Sequence, residues 1–322
     1  MNRLGIIMSV LFIAALAVMG LSLGLGSVAL SLGDLWAVVT GGGEPLQRTL
    51  ILELRLPRTL AAFATGGLLA VAGALMQVLL RNPLADPYVL GISGGAAVGA
   101  LLSMLAGLAT ALVSGAAFAG ALLSTLLVFG LAHGTGSWTS VRLLLTGVVV
   151  AAGWGALISF ILAVSPGAQL PGMLYWLMGD LSHASQPGPA LILLLLVVLL
   201  AWPLGRSLNV LARGSLQAAA LGVSVRPLEW TVYLLAAALT ASAVTLAGTV
   251  GFVGLIVPHM LRLVLGNDQR IILPASALAG GILLTLADTL ARTVIAPLQL
   301  PVGVITAMLG VPVFLYLLHR SR

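Results

Sequence analysis

The chain has 322 residues, 60% of them apolar and only 7% charged, with a mean hydropathy of +1.18. Its repeated apolar runs, each about 20 residues long and so about as long as a bilayer core is thick, exclude a soluble globular fold and leave an all-α polytopic membrane protein. The net charge of +6 comes from 14 arginines, with no lysine, set singly between apolar runs; this excludes a nucleic-acid surface, and the lack of cysteine excludes disulfides and thiolate chemistry.

Hydropathy predicts about ten transmembrane helices, at roughly 5–26, 59–80, 88–107, 111–131, 141–163, 188–204, 228–248, 250–266, 271–292 and 303–319. The first is longer than the apolar part of a secretory signal peptide and reads as a span. All ten form one transmembrane domain over 1–322.

The first connection, 27–54, carries Asp34, Trp36, a triple-glycine break at 41–43 and Glu44-Pro45, which predicts a short surface helix and a turn. It ends in Arg55-Leu56-Pro57-Arg58, two arginines directly before the second span. At the bilayer centre each would cost about 2.5 to 3.5 kcal/mol, so both belong at an interface. Between the second and third spans, Arg81-Asn82-Pro83-Leu84-Ala85-Asp86-Pro87 cannot continue a helix through two prolines, and Gly91 to Gly95 permits close backbone approach. This break reads either as a tight turn or as irregular backbone lining a pathway.

The connection at 164–187 carries Pro166-Gly167 and Pro171-Gly172 ahead of Leu174 to Met178, an amphiphilic stretch that places Tyr175-Trp176 at headgroup depth. The connection at 205–227 reads as one or two short helices broken by Gly214 and Gly222. On the ninth span Asp288 precedes Arg292 by four residues, a spacing that favours a local ion pair.

Alternating the spans from a cytoplasmic N-terminus puts Arg3, Arg81, Arg142, Arg206, Arg213, Arg226, Arg262, Arg270, Arg320 and Arg322 at inner ends; Arg48, Arg55, Arg58 and Arg292 fall outside. Both termini are therefore expected in the cytoplasm, with 205–227 cytoplasmic and 27–54 and 164–187 external.

No catalytic constellation is present. A chain without lysine lacks the phosphate-loop lysine, and His133, His183, His259 and His319 lack metal-pair spacing, so neither a bound nucleotide nor a metal site is expected. Transport leads; an ion-coupled secondary transporter without an ATPase is the alternative, with Asp288 as its candidate carboxylate.

Several strings, in order along nearly the whole length, resemble the permease subunits of ABC importers for ferric siderophores, haem and vitamin B12: Arg55 to Arg58, Gly73 to Gln77, Asn82 to Pro87, Leu90 to Ser93, Arg142 to Gly147, Tyr175 to Gly179, Gly251 to His259, Asp288 with Arg292, and Leu300 to Gly303. The resemblance implies ten helices, a homodimer in the bacterial inner membrane, two copies of a cytosolic ATPase that bring ATP and Mg, and a periplasmic substrate-binding protein. No cofactor is implied for this chain. The resemblance further assigns Arg55, Arg58 and Arg292 to docking of the binding protein, Asn82 and Leu84 with Thr139, Ser140 and Val141 to a cytoplasmic gate, and Arg213, Gly214, Leu221 and Gly222 to ATPase coupling. Ser215 stands where the family often has an acid, and 139–141 is less polar than in B12 importers. Ferric siderophore leads as substrate, followed by cobalamin and haem.

Overall fold

The computed structural model describes residues 3–26, 28, 30–133, 140–182, 184 and 186–320, and all regular structure among them is helical. The helices are α1 (Arg3–Gly24), α2 (Leu32–Val39), α3 (Pro45–Arg48), α4 (Leu56–Leu79), α5 (Ile92–Leu105), α6 (Thr110–His133), α7 (Ser140–Val164), α8 (Leu170–Leu177), α9 (Gly188–Leu211), α10 (Ser215–Ala220), α11 (Val225–Ala247), α12 (Val253–Leu265), α13 (Gln269–Thr293) and α14 (Val302–Arg320). Among the described residues seven helical stretches are long and apolar enough to cross a membrane, and α5, α12 and α14 are shorter apolar helices. Thr139 and the side chain of Ser140 lie outside the described residues.

The axis of the fold is α4. A π-helical stretch, Thr49–Arg55, joins it to α3, so one helical path of 35 residues runs from Pro45 to Leu79. The short helix and turn expected in 27–54 are present as α2 and the positive-φ Gly41 and Gly43; beyond them the helical path runs without a break through Arg55 and Pro57 into α4. Helices α13, α11, α12 and α9 pack around α4.

Glycine makes two of those contacts possible. Any side chain at Gly66 would overlap the Gly280 carbonyl of α13, and any at Gly73 would overlap the Gly254 backbone of α12. In hydrocarbon, where apolar faces gain little by meeting, such backbone contact supplies the van der Waals packing that holds helices together. The α5–α6 pair repeats the device, with Gly95 and Gly99 against Gly120 and Ala116.

Two short helices begin deep in the bundle. The third span was expected from about residue 88; instead Asp86 caps a single 3-10 turn, Pro87–Leu90, and α5 starts after left-handed Gly91. Likewise α12 starts at Val253, after the positive-φ residues Gly248 and Phe252. Pro87 lies against Gly254, which faces the carbonyl of Leu69. Leu69 is about 15 Å from the end of α4 at 1.5 Å per residue, so both breaks sit near mid-depth. The Tyr88 hydroxyl accepts the Val250 N–H at 3.1 Å, joining them. Thr249 donates to the Leu177 carbonyl, and Gly303 at the head of α14 packs on the Met178 carbonyl, so the end of α8 closes the same junction. Irregular backbone at this depth survives because protein groups satisfy it.

The expected end of the sixth span at 204 is overrun: α9 continues to Leu211 through Pro203, with Gly205 packed against Arg270. The 205–227 connection therefore holds a single short helix of its own, α10.

Candidate functional site

Arg55, Arg58 and Arg292 come together where α1 and α13 end and α4 begins. Arg58 and Arg292 share Asp288, fully buried on α13. Arg58 forks onto this carboxylate, Nε donating to Oδ1 at 3.0 Å and Nη2 lying 2.9 Å from the same oxygen, while Arg292 Nε donates to Oδ2 at 3.0 Å. Arg292 also donates through Nη2 to Ser22 Oγ at 2.8 Å, and Ser22 shares a hydrogen bond with Thr59. The expected local pair between Asp288 and Arg292 is present; Arg58 is its added partner.

Arg55 has a different job. Its Nη1 donates to the carbonyls of Leu23 at 2.8 Å and Gly24 at 3.1 Å, and its Nη2 to that of Val28. These include the last carbonyls of α1, which lack intrahelical partners and carry the negative end of the helix dipole. Arg55 and Arg292 are each 7% exposed, so in the single chain the arginines expected to face outward are anchored inward. Arg58 is the most open, and its Nη1 donates to Gln299 at 2.6 Å. Gln299 in turn lines a cavity of about 710 Å3 with Met104, Tyr175, Trp176 and Asp180. Three guanidiniums against one carboxylate leave the cluster with net positive charge.

The other candidate residues lie at or near the far end of α4. Asn82 is exposed and its Oδ1 accepts the Leu84 N–H at 2.9 Å, a local turn; Leu84 is half-buried and Val141, at the start of α7, is exposed. Helix α7 packs against α5, the Pro87–Leu90 turn and α6, with Gly91 in contact with Val150 and Ala151. Arg213 is exposed beside Gly214, whose φ of 135° frees the chain to enter α10, and Gly222 (φ 79°) lets it leave. Leu221 is 70% exposed, and Leu216, which is not among the expected coupling residues, is 89% exposed. A leucine on a six-residue, alanine-rich helix is a signal that spacing alone does not separate from core packing. Ser215 donates to Glu229 of α11 at 3.2 Å, so a carboxylate adjoins the position after Gly214.

Residues 10–320 match the FecCD transport family. The chain belongs to that family. Among curated relatives, the hemin transport system permease protein of Yersinia pestis is 40% identical over 326 residues, covering 99% of this chain and 96% of that one. The vitamin B12 import system permease protein of Vibrio cholerae is 40% identical over 306 residues, covering 94% and 92%. A solved structure described as a metal-chelate type ABC transporter in an inward-facing conformation superposes with a TM-score of 0.87 at 29% identity, covering 98% of this chain and 99% of the other. As a FecCD member the chain is an integral membrane permease of the ABC transporter class, and its helices fit that class.

Proposed function

We propose that this chain is the membrane-spanning subunit of an ATP-driven importer that receives a large metal chelate from a binding protein. In this reading the seven long and three short apolar helices all cross the bacterial cytoplasmic membrane, both termini are cytoplasmic, two copies pair around the path, and a separate ATPase, present twice, binds and hydrolyses ATP with Mg. The observation that carries the reading is the separation of two dissimilar ends along α4. A cationic cluster of Arg55, Arg58 and Arg292 sits at its start, and an exposed apolar helix, α10, lies by its end, where Gly214 is within 4.0 Å of Arg81 Nη1. The 24 residues of α4 span roughly 36 Å, about a bilayer.

The cationic end suits acidic patches of a binding protein. Exposed ion pairs contribute about 0.2 to 1 kcal/mol each, so docking needs several across a dimer and weakens with salt. Gln299 links Arg58 to the 710 Å3 cavity, giving a docked partner a contact with the outer vestibule. At the opposite end Leu216 and Leu221 offer apolar contact to an ATPase whose closure would rock the helices. The mid-depth junction of Tyr88, Val250 and Thr249 provides the irregular backbone about which short helices can tilt, with Asn82, Leu84, Ser140 and Val141 forming the inner gate. Asp288, with both oxygens held by guanidiniums, suits a structural clamp better than an ion-coupling site.

For the substrate, a metal chelate is proposed as a class. Relatives that cover nearly the whole chain carry hemin or vitamin B12 in their names, so tetrapyrrole chelates stand beside ferric siderophores as ligands to test on the cognate binding protein. Copurification tests the assembly: the tagged chain should bring down an ATPase subunit, and recovery of the permease alone under conditions that preserve the membrane complex would refute it.

A further inference from the structure

At the α10 end a cavity of about 530 Å3 opens between the ends of α4, α9 and α12 and the start of α13, with Gln77, Arg81, Asn209, Arg213, Arg262 and Gln269 in its wall. Three of these groups are guanidiniums. One carboxylate, Asp268, also lines the cavity, but it is already engaged: Arg270 Nη2 donates to it at 2.7 Å and Asn209 at 2.9 Å. Hydrogen bonding from Arg270 holds that carboxyl well below the usual range. Glu229, whose charge acts on Arg81, lies on α11 outside this wall.

Arg262 is the telling member. It reaches from α12 to α4, donating to Gln77 Oε1 and to the Ala74 carbonyl at 3.2 Å. The Gln77 amide is itself fixed by donating to the Leu255 carbonyl at 3.1 Å. Both acceptors are neutral, and a guanidinium carries more donors than they satisfy. Among the described residues no carboxylate pairs with Arg262. A half-buried cation lacking a counter-charge is costly, and the cavity is the route by which one can arrive. The wall also holds an unmatched acceptor: Gln269 is 2% exposed and its Oε1 has no hydrogen-bond partner, so the occupant has to bring a donor as well as an anion.

We propose that this cavity binds the phosphate group of an anionic phospholipid headgroup from the cytoplasmic leaflet. Guanidiniums take phosphate through paired, charge-assisted hydrogen bonds, and basic pockets between helices on the cytoplasmic side suit such headgroups. The helices that bound the cavity favour a lipid over free phosphate. Deeper along these helices Leu199 and Trp202 on α9 and Met260 on α12 are exposed, an apolar surface for acyl chains. Trp202 precedes Asn209 by about 10 Å of helix. A hydroxylated headgroup such as phosphoglycerol would also offer a donor to Gln269. The proposal uses the cytoplasmic placement of this end given above and depends on neither the ATPase nor the binding protein.

The test uses the full-length permease in neutral detergent, titrated with phosphatidylglycerol, phosphatidylcholine or inorganic phosphate, with retained lipid read by native mass spectrometry and stability by thermal midpoint. Phosphatidylglycerol should be retained and raise the midpoint, and phosphatidylcholine should do neither. Arg262→Gln should weaken retention about tenfold, the scale of one charge-assisted hydrogen bond. Arg213→Gln, at an exposed position that folding tolerates, should weaken it in the same direction and carries the test if Arg262→Gln does not fold. Arg206→Gln, on α9 and outside the wall, should leave it unchanged. Equal retention of both lipids, or undiminished retention in Arg213→Gln, overturns the proposal. Protection by inorganic phosphate as strong as by phosphatidylglycerol overturns the lipid source. Loss of ATPase association with lipid retention intact would assign the cavity to an acidic side chain of the partner and likewise overturn it.

Discussion

Arg58 and Asp288, 230 positions apart in the chain, form a forked ion pair in which Arg58 Nη2 lies 2.9 Å from Asp288 Oδ1 and Arg58 Nε donates to both carboxylate oxygens. The pair bolts the start of α4 to the end of α13. Asp288 is fully buried and also holds Arg292, so its removal would leave two close guanidiniums unneutralised. Asp288→Asn should therefore lower stability by about 3 to 5 kcal/mol, the cost of breaking a buried pair. Thermal unfolding in detergent measures this; an unchanged midpoint would show that the carboxylate does not hold the helices.

Arg55 and Arg58 should separate when mutated. Arg55→Gln removes donors from the terminal carbonyls of α1 and should lower both stability and binding-protein docking. Arg58→Gln, at the more open position, should cost docking more than α1 anchoring. Docking titrations at low and high salt, paired with unfolding curves, distinguish them.

The close helix contacts predict a sharp contrast between glycines. Gly66→Leu drives a side chain into the Gly280 carbonyl and should abolish folded yield. Gly155→Ala on α7 has open space within 4 Å and should be neutral, or stabilising by up to about 1 kcal/mol through helix propensity. Monodispersity on size-exclusion chromatography reads both.

Tyr88→Phe deletes the acceptor of the Val250 N–H at the mid-depth junction. Leaving that buried donor unmatched costs about 1 to 3 kcal/mol. Faster amide exchange at 248–252, with the helices elsewhere unaffected, is the expected signature.

Leu216→Asp on α10 should abolish ATPase association with little change in the permease's own unfolding midpoint, because a side chain 89% exposed contributes little to the fold. Loss of both together would mean that α10 is a packing element.

Hydropathy made the spans legible because lipid imposes one requirement on every long helix, and most observed ends fall within a few residues of those expected. It could not locate the starts of α5 and α12, which depend on left-handed Gly91 and Phe252 and on partners such as Tyr88 and Val250, 162 positions apart. The i, i+4 spacing revealed Asp288 with Arg292, whereas Arg58 reaches the same carboxylate only through tertiary packing. Charge bias grouped the arginines on one side but could not show that Arg55 is bound to α1 carbonyls. The overrun of α9 past Pro203 was hidden because its Gly205 contact with Arg270 lies 65 positions along the chain.

The most direct test of the transport reading is uptake of a labelled metal chelate into proteoliposomes containing this permease and its ATPase, with the loaded binding protein supplied on the outer-face side. Uptake should require ATP and the binding protein together and should fall when Arg55 and Arg58 are both reversed to glutamate. Uptake driven by an ion gradient without ATP, or undiminished in the reversed variant at low salt, would contradict it.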